Sequence, residues 1–225
     1  TTGVFNTFIG GLAGDAITDA DGNVGVGLHA LGGDTLGSSS VAIGTNALRT
    51  QNFTTATTAY NVAIGRDAGI SLTTGLQNVI IGALAADALT SGQNNVMIGY
   101  SVCGAGVVTG ASNIMIGAAT GGPLTSGSNN VAIGEDAASG LTTGSNNLLL
   151  GHDAGRTGSP GGNIVSSSNE VVLGDENITA IYAAVSSIST SDERDKTDFT
   201  ALALGLDFVK ALEPVTYYWD KRSKY

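Results

Sequence analysis

Asn130-Val-Ala-Ile-Gly-Glu-Asp-Ala-Ala-Ser-Gly-Leu-Thr-Thr-Gly144 is one copy of a phrase that recurs through most of the chain. Its core, usually Val-x-Ile-Gly, ends in a glycine that returns at steps of 17, 17, 21, 17, 17, 18, 17, 17 and 23 residues. So regular a period is typical of solenoids, in which each repeat forms one layer of a stack. The glycines are Gly10, Gly27, Gly44, Gly65, Gly82, Gly99, Gly117, Gly134, Gly151 and Gly174.

The residues three and one before each glycine are almost all branched aliphatics, as Val131 and Ile133 are in the quoted unit. Side chains two apart lie on one face of a strand, so each unit predicts a short strand whose valines and isoleucines stack into columns inside the solenoid. The glycine then marks a corner or a close backbone contact. A Leu-Thr-Thr/Ser-Gly segment, such as Leu141–Gly144, marks a second corner. No unit has helical spacing.

An asparagine usually stands four residues before the glycine, with Ser40 and Glu170 as exceptions. Identical asparagines stacked in register can hydrogen-bond from layer to layer as an amide ladder. Asparagine also tolerates a left-handed turn at such a position. We therefore predict a structural ladder rather than a ligand site. Its most regular members are Asn61, Asn78, Asn95, Asn113, Asn130 and Asn147.

The composition suits a thin stacked interior. The chain has 225 residues, of which 42% are hydrophobic, 5% aromatic and 12% charged, with 34 glycines. The net charge of −10 argues against nucleic acid and anionic membrane as partners. No apolar run of about 18 residues occurs, so no membrane insertion is expected. The single cysteine, Cys103, is predicted to be a small buried side chain.

Two insertions interrupt the period, and both are predicted to be surface loops. Such loops are the places where an otherwise regular shaft could bind another molecule. The first lies within Thr50–Ala59 and the second within Gly155–Asn163. The run Asp19-Ala-Asp-Gly-Asn23 resembles part of a calcium loop, but the downstream glutamate at the required spacing is missing. We interpret it as a turn, and we expect neither a cofactor nor a metal.

The period ends at Gly174, so residues 1–174 are predicted to be the shaft and 175–190 a strand-rich neck. Residues 191–225 differ in composition, because they hold 13 of the 28 charged residues and every lysine. Within them, Phe199–Leu212 suits an amphipathic helix stopped by Pro214, and Val215–Trp219 suits a strand. The C-terminal segment is therefore predicted to be a short α/β unit.

The order Ser191-Asp192-x-Arg194-x-Lys196, followed by Leu212-x-Pro214-Val215-x-Tyr217, resembles a known family. It is similar to the start of the intramolecular chaperone domain of phage tail fibres and endosialidase tailspikes, classed as a self-cleaving serine peptidase (S74). The repeats are similar to those of phage fibres and, more loosely, to the heads of trimeric autotransporter adhesins. The resemblance implies a domain that folds three chains in register and then cuts itself off at Thr190–Ser191.

The residue types fit such a step. A serine hydroxyl is a weak nucleophile that needs a nearby base, and a lysine of lowered pKa can serve. A helical turn starting at Ser191 would bring Lys196 to the same side. Asp192 would support it as a cap, and Arg194 by pairing with a carboxylate of a neighbouring chain. We expect no activity on an external substrate.

The sequence thus predicts an all-β protein, a parallel β-solenoid (β-helix) of about 17-residue repeats in a homotrimeric viral tail fibre, located in the virion. Its partners would be two further copies, other virion tail proteins and a host receptor or glycan. Whether each turn belongs to one chain or winds among three stays open.

Two alternatives remain from other classes of protein. One is the head of a bacterial trimeric surface adhesin. The other is the shaft of a glycan-degrading tailspike, which would need paired carboxylates at a groove. The repeats offer only scattered acids, namely Asp67, Asp87, Glu135, Asp136 and Asp153. An ice-binding solenoid is a weaker third alternative, because it would need a threonine at the same position of every repeat and the threonines here are irregularly placed.

Overall fold

The computed structural model describes residues 2–182 of the chain. The predicted C-terminal α/β segment therefore lies outside the described residues. The strands are β1 (Thr7–Ile9), β2 (Val24–Val26), β3 (Gly37–Ser38), β4 (Val41–Ile43), β5 (Thr57–Thr58), β6 (Val62–Ile64), β7 (Val79–Ile81), β8 (Val96–Ile98), β9 (Ile114–Ile116), β10 (Val131–Ile133), β11 (Leu148–Leu150) and β12 (Val171–Leu173).

Ten of these strands form one parallel sheet in the order β1-β2-β4-β6-β7-β8-β9-β10-β11-β12, and β3 pairs with β5. Residues 2–182 contain no helix. Each strand of the large sheet pairs with the strand of the next repeat, so the successive turns belong to one chain. The predicted fold class, a parallel β-solenoid with about 17 residues per turn, is confirmed.

The insertions leave the register of the sheet unchanged. Val41 pairs with Val62 across the 21-residue step, and Leu148 pairs with Val171 across the 23-residue step. Extra residues are therefore accommodated between strands, and equivalent positions of every repeat stay stacked.

The interior is filled by the middle residue of each strand, and this corrects the sequence interpretation. The valines and isoleucines do stack in columns, but they point outward, as the partly exposed Val62 and Ile64 show. Between them, Ala63 is fully buried. Alternation places the flanking residues on one face without saying which face is the core. The buried middle residues are Ala42, Ala63, Ile80, Met97, Met115, Ala132, Leu149 and Val172.

The corners supply the rest of the core. Alanines after the strand-ending glycine and leucines of the second corner are fully buried, for example Ala68 and Leu72. Gly82 shows why the first corner needs glycine, because its φ is +134° and a Cβ there would lie 2.7 Å from the Gly99 carbonyl carbon. Both the positive φ and the close approach of the next turn exclude a side chain.

The asparagines form a continuous internal ladder. The Asn95 amide nitrogen donates to the Asn78 side-chain oxygen at 3.1 Å and to the Gly110 carbonyl at 3.1 Å. The Asn95 side-chain oxygen in turn accepts from the backbone and side-chain nitrogens of Asn113, at 2.9 and 3.1 Å. The left-handed residue is not the ladder asparagine but the one before it, as at Asn94 with φ 58°.

A glutamine from the first insertion bridges the gap that Ser40 leaves in the ladder. The Gln51 side-chain oxygen accepts from the Asn61 amide at 2.9 Å, and its nitrogen donates to Ser40 Oγ at 3.2 Å and to the buried Asp34 at 2.5 Å. Gln51 is fully buried and Phe53 nearly so. The first insertion is therefore a surface loop, as the sequence predicted, that also contributes Gln51 and Phe53 to the interior.

The threonines of the second corner also act within the solenoid. The hydroxyls of Thr73, Thr125 and Thr142 donate to backbone carbonyls of the next turn at 3.0 Å. These hydroxyls are engaged in the protein, which weakens the ice-binding alternative.

The predicted strand-rich neck is described only as far as residue 182, and residues 175–182 form no strand. Within the described residues, no helix is long and apolar enough to cross a membrane.

Replacing Asn95 with Ala should lower the free energy of unfolding by about 3 kcal/mol, because it leaves the buried Asn113 amide and Gly110 carbonyl without partners. Denaturant titration followed by circular dichroism measures this change. The control is Gln93→Ala in the same turn, whose side chain is exposed. Equal stability of the two variants would show that the ladder contributes nothing.

Replacing Gly82 with Ala should cost at least about 3 kcal/mol, from backbone strain and from collision with the next turn. The matched control is Gly161→Ala, which also has a positive φ of 82° but nothing within 4 Å of the added Cβ. Thermal unfolding of both variants separates collision from strain. A larger loss at Gly161 would contradict this account of the corner.

Candidate functional sites

The largest exposed feature is a strip that we name the outer face, formed by the residues three and one before each strand-ending glycine. Of its twenty positions, all but Thr7 are Val, Ile or Leu. Many remain substantially exposed, including Ile64 at 36%, Ile133 at 40% and Val171 at 68%. Parallel register aligns them into two unbroken columns. An exposed apolar strip of this kind is typical of a binding surface.

A groove of about 300 Å³ runs along one edge of the outer face near its C-terminal end. Its apolar wall is Val131, Leu148 and Val171, and its polar wall is a stack of asparagines together with Glu170. Among these, the Asn146 amide donates to the Asn169 side-chain oxygen at 2.8 Å. The valine edge of the outer face is therefore concave and polar near its C-terminal end.

Charged side chains cluster on the last turns of the described solenoid. The Arg156 guanidinium contacts Asp153 at 2.5 Å and Asp136 at 3.3 Å. The hydrogen bond to Asp153 is the main cause that raises the pKa of Arg156 above its ordinary value. Hydrogen bonds from Asn177, with a smaller contribution from His152, lower the pKa of Asp175. This cluster is a network of opposite charges that binds neighbouring turns to one another.

His152, Asp153 and Asp175 in this cluster offer ligand atoms that lie within 4.8 Å of one another. This grouping was not predicted from the sequence, because Asp175 comes from the following repeat beyond the second insertion. The repeat pattern contained the information needed to predict it, because His152 and Asp175 each follow a strand-ending glycine and equivalent positions of successive repeats lie next to each other. Asp153 is already bound to Arg156, and His152 is exposed. Ion pairing accounts for the arrangement.

The second insertion forms one wall of a polar cleft of about 370 Å³. The cleft is lined by Ser139, Gly140, Asp153, Arg156, Thr157 and Asn163. The loop itself is ordered by Ser159, whose hydroxyl accepts from the Gly155 amide at 3.1 Å and donates to the Arg156 carbonyl at 2.8 Å. This cleft is where the second insertion could contact another molecule.

Among the acids considered for glycan cleavage, Asp153 lines the polar cleft, and no second acid is among the residues that line that cleft. Asp67 contacts Arg66 at 2.7 Å, and Asp136 and Asp153 share Arg156. Asp87 has a pKa raised chiefly by burial, and its Oδ1 has no hydrogen-bond partner. The charge-paired carboxylates serve contacts within the shaft, so nothing here favours the tailspike alternative.

The Asp19–Asn23 run has contacts within the solenoid. The Asp21 carboxylate accepts from the Val4 amide at 2.7 Å, and Asp19 accepts from the Thr2 hydroxyl. The Asn23 side chain donates to the Gly37 carbonyl at 2.9 Å as a member of the ladder. These contacts are those of a turn between stacked layers.

The residues predicted to carry self-cleavage, Thr190, Ser191, Asp192, Arg194 and Lys196, lie outside the described residues. Sequence comparison bears on this segment. Residues 191–224 match the family model Peptidase_S74, chaperone of endosialidase. The predicted resemblance is thereby confirmed, and the β-solenoid upstream is consistent with a fibre shaft that precedes such a domain. No curated protein and no solved structure matches the chain.

Cys103 should not react with thiol reagents in the native protein. It is fully buried, and burial raises the pKa of its thiol to about 12. Because the thiolate is the reactive form, labelling at pH 8 should be at least about 100-fold slower than in denaturant. Absorbance with a disulfide reagent measures both rates. Similar rates in the two conditions would contradict burial of this turn.

Proposed function

We propose that the chain is the shaft of a homotrimeric viral tail fibre, followed by a chaperone that drives trimer folding and then cuts itself off. The observation that carries this proposal is the order of the two parts. An in-register solenoid ends at β12, and the match to the chaperone of endosialidase begins at residue 191. A stiff rod followed by a folding domain fits a structural protein that holds binding surfaces at a distance from the particle.

The solenoid itself explains why such a chaperone would be useful. Every turn is a near copy of the others, so a chain can pair with the wrong turn of a neighbour at little cost per layer. A C-terminal domain that aligns three chains at one end removes this ambiguity. In this proposal residues 1–174 are the shaft, 175–190 the neck and 191–225 the beginning of the chaperone.

Self-cleavage would proceed at Thr190–Ser191. Lys196 would take the proton of the Ser191 hydroxyl, whose oxygen attacks the Thr190 carbonyl carbon. The peptide nitrogen then leaves as the amine of Ser191, and water hydrolyses the resulting ester. Asp192 and Arg194 would hold the turn and its contact with a neighbouring chain. This is a single-turnover event with no external substrate.

The proposed fibre would act in host attachment as part of the virion. A stiff shaft holds contact points away from the particle, and three copies multiply weak contacts to a host receptor or glycan. The cleft beside the second insertion is the contact point that the shaft offers in the described residues. Other tail proteins of the virion would be its structural partners.

The cleavage proposal predicts two bands on a denaturing gel for the chain expressed through its complete chaperone domain. Ser191→Ala and Lys196→Ala should each give one band, since one removes the nucleophile and the other the base. The matched controls are Ser189→Ala and Lys210→Ala, which should still give two bands. N-terminal sequencing of the released fragment should begin at Ser191. Two bands from Ser191→Ala would exclude this mechanism.

A further inference from the structure

The outer face is apolar without serving the core of its own chain. The interior is already complete, because the middle residues and the corner alanines and leucines are fully buried within one chain. Yet nineteen branched aliphatics remain on the outside of the same strands. Nine steps of about 4.8 Å and strands about 10 Å wide give a strip of roughly 400 Å² before side-chain relief is counted. An unbroken apolar strip along ten strands, on a sheet whose inner core is already complete, favours a partner.

The period of the strip limits what can cover it. A partner must present apolar side chains at the spacing of a parallel sheet along all ten strands, and another copy of this chain does so in parallel register. The register is unbroken even across the insertions, as at Val96 with Ile114 and Leu148 with Val171. No position of the two columns carries a charge. Self-association therefore meets no like-charge repulsion within the two columns, and Glu170 lines the adjoining groove.

The two edges of the strip favour a closed ring over a two-fold dimer. A two-fold contact joins identical patches, whereas a ring joins one patch to a different one. Beside the valine column, at β10 to β12, lies the groove with its wall of asparagines and Glu170. The isoleucine column forms the opposite edge, where Ile43, Ile64 and Ile133 are exposed by 36–40%. A ridge and a groove on one narrow face fit a head-to-tail contact between parallel chains.

We propose that the outer face is the interface of the trimer, with the isoleucine column of each chain packed against the valine column and groove of the next. This inference rests on the proposed trimeric fibre and names the surface that joins its chains. The three coils stand parallel and in register around a three-fold axis. Each coil keeps its own core, and the columns form a second, shared core.

The test compares the mass of the full chain in solution with that of a face variant. The unmodified chain, expressed through its complete chaperone domain as in the cleavage experiment, should have three times the mass that one chain shows on a reducing denaturing gel. Ile81→Lys combined with Ile133→Lys should reduce the mass to that of one chain while keeping the β-sheet circular dichroism. The matched control, Thr74→Lys with Thr143→Lys, adds the same charge at exposed corner positions and should stay trimeric. A trimeric face variant, or a monomeric unmodified chain, would overturn the proposal.

A cross-linking arm decides the matter even if the lysine variant fails to fold. In a Cys103→Ala background, Ile133→Cys combined with Val131→Cys places one cysteine on each side of the proposed contact and should give covalent two- and three-chain bands on a non-reducing gel after mild oxidation. Thr74→Cys combined with Thr143→Cys, at exposed corner positions, should not. No band from the Val131 and Ile133 pair, or equal bands from both pairs, would contradict the interface. Cleavage at Thr190–Ser191 is read separately, on a reducing gel. A trimer without cleavage would refute the proposed self-processing alone, and cleavage without this interface would refute the inference alone.

Discussion

The structure depends on parallel, in-register pairing between consecutive turns. Once Val131 must lie beside Leu148 and Ile114, every other position of the repeat is also stacked on its equivalents. A polar residue inside then needs a partner that is an identical residue one layer away. The asparagine ladder meets this condition, because each amide accepts from one neighbour and donates to the other. Regularity of the sequence is thus a requirement of the hydrogen bonding.

The same constraint sets the size of the interior. Only one side chain per strand points inward, so alanine, methionine or leucine at that place is enough when corner alanines and leucines fill the remaining space. Where the pattern fails, a local substitute appears, as when Gln51 replaces the missing asparagine at Ser40. The insertion that supplies Gln51 is compatible with the stack because it begins and ends in register.

The sequence was sufficient to predict the solenoid, its strand positions, its glycine corners and the chaperone resemblance, because each of these repeats or matches a fixed motif. It could not show which face of the strand is the core, since alternation is the same in both cases for a strand of three residues. The contact of His152 with Asp175 also required the three-dimensional stack, because an insertion separates them in the chain.

The inward and outward roles of adjacent residues join the fold to the proposed assembly, since a complete inner core leaves the outer columns available for other chains. The most direct measurement is far-UV circular dichroism of Ile80→Lys and Ile81→Lys, two adjacent isoleucines carrying the same change. Ile80 is fully buried in its own coil and Ile81 belongs to the outer face. The account predicts loss of the β-sheet signal for Ile80→Lys and its retention for Ile81→Lys. Equal loss, or the reverse order, would contradict it.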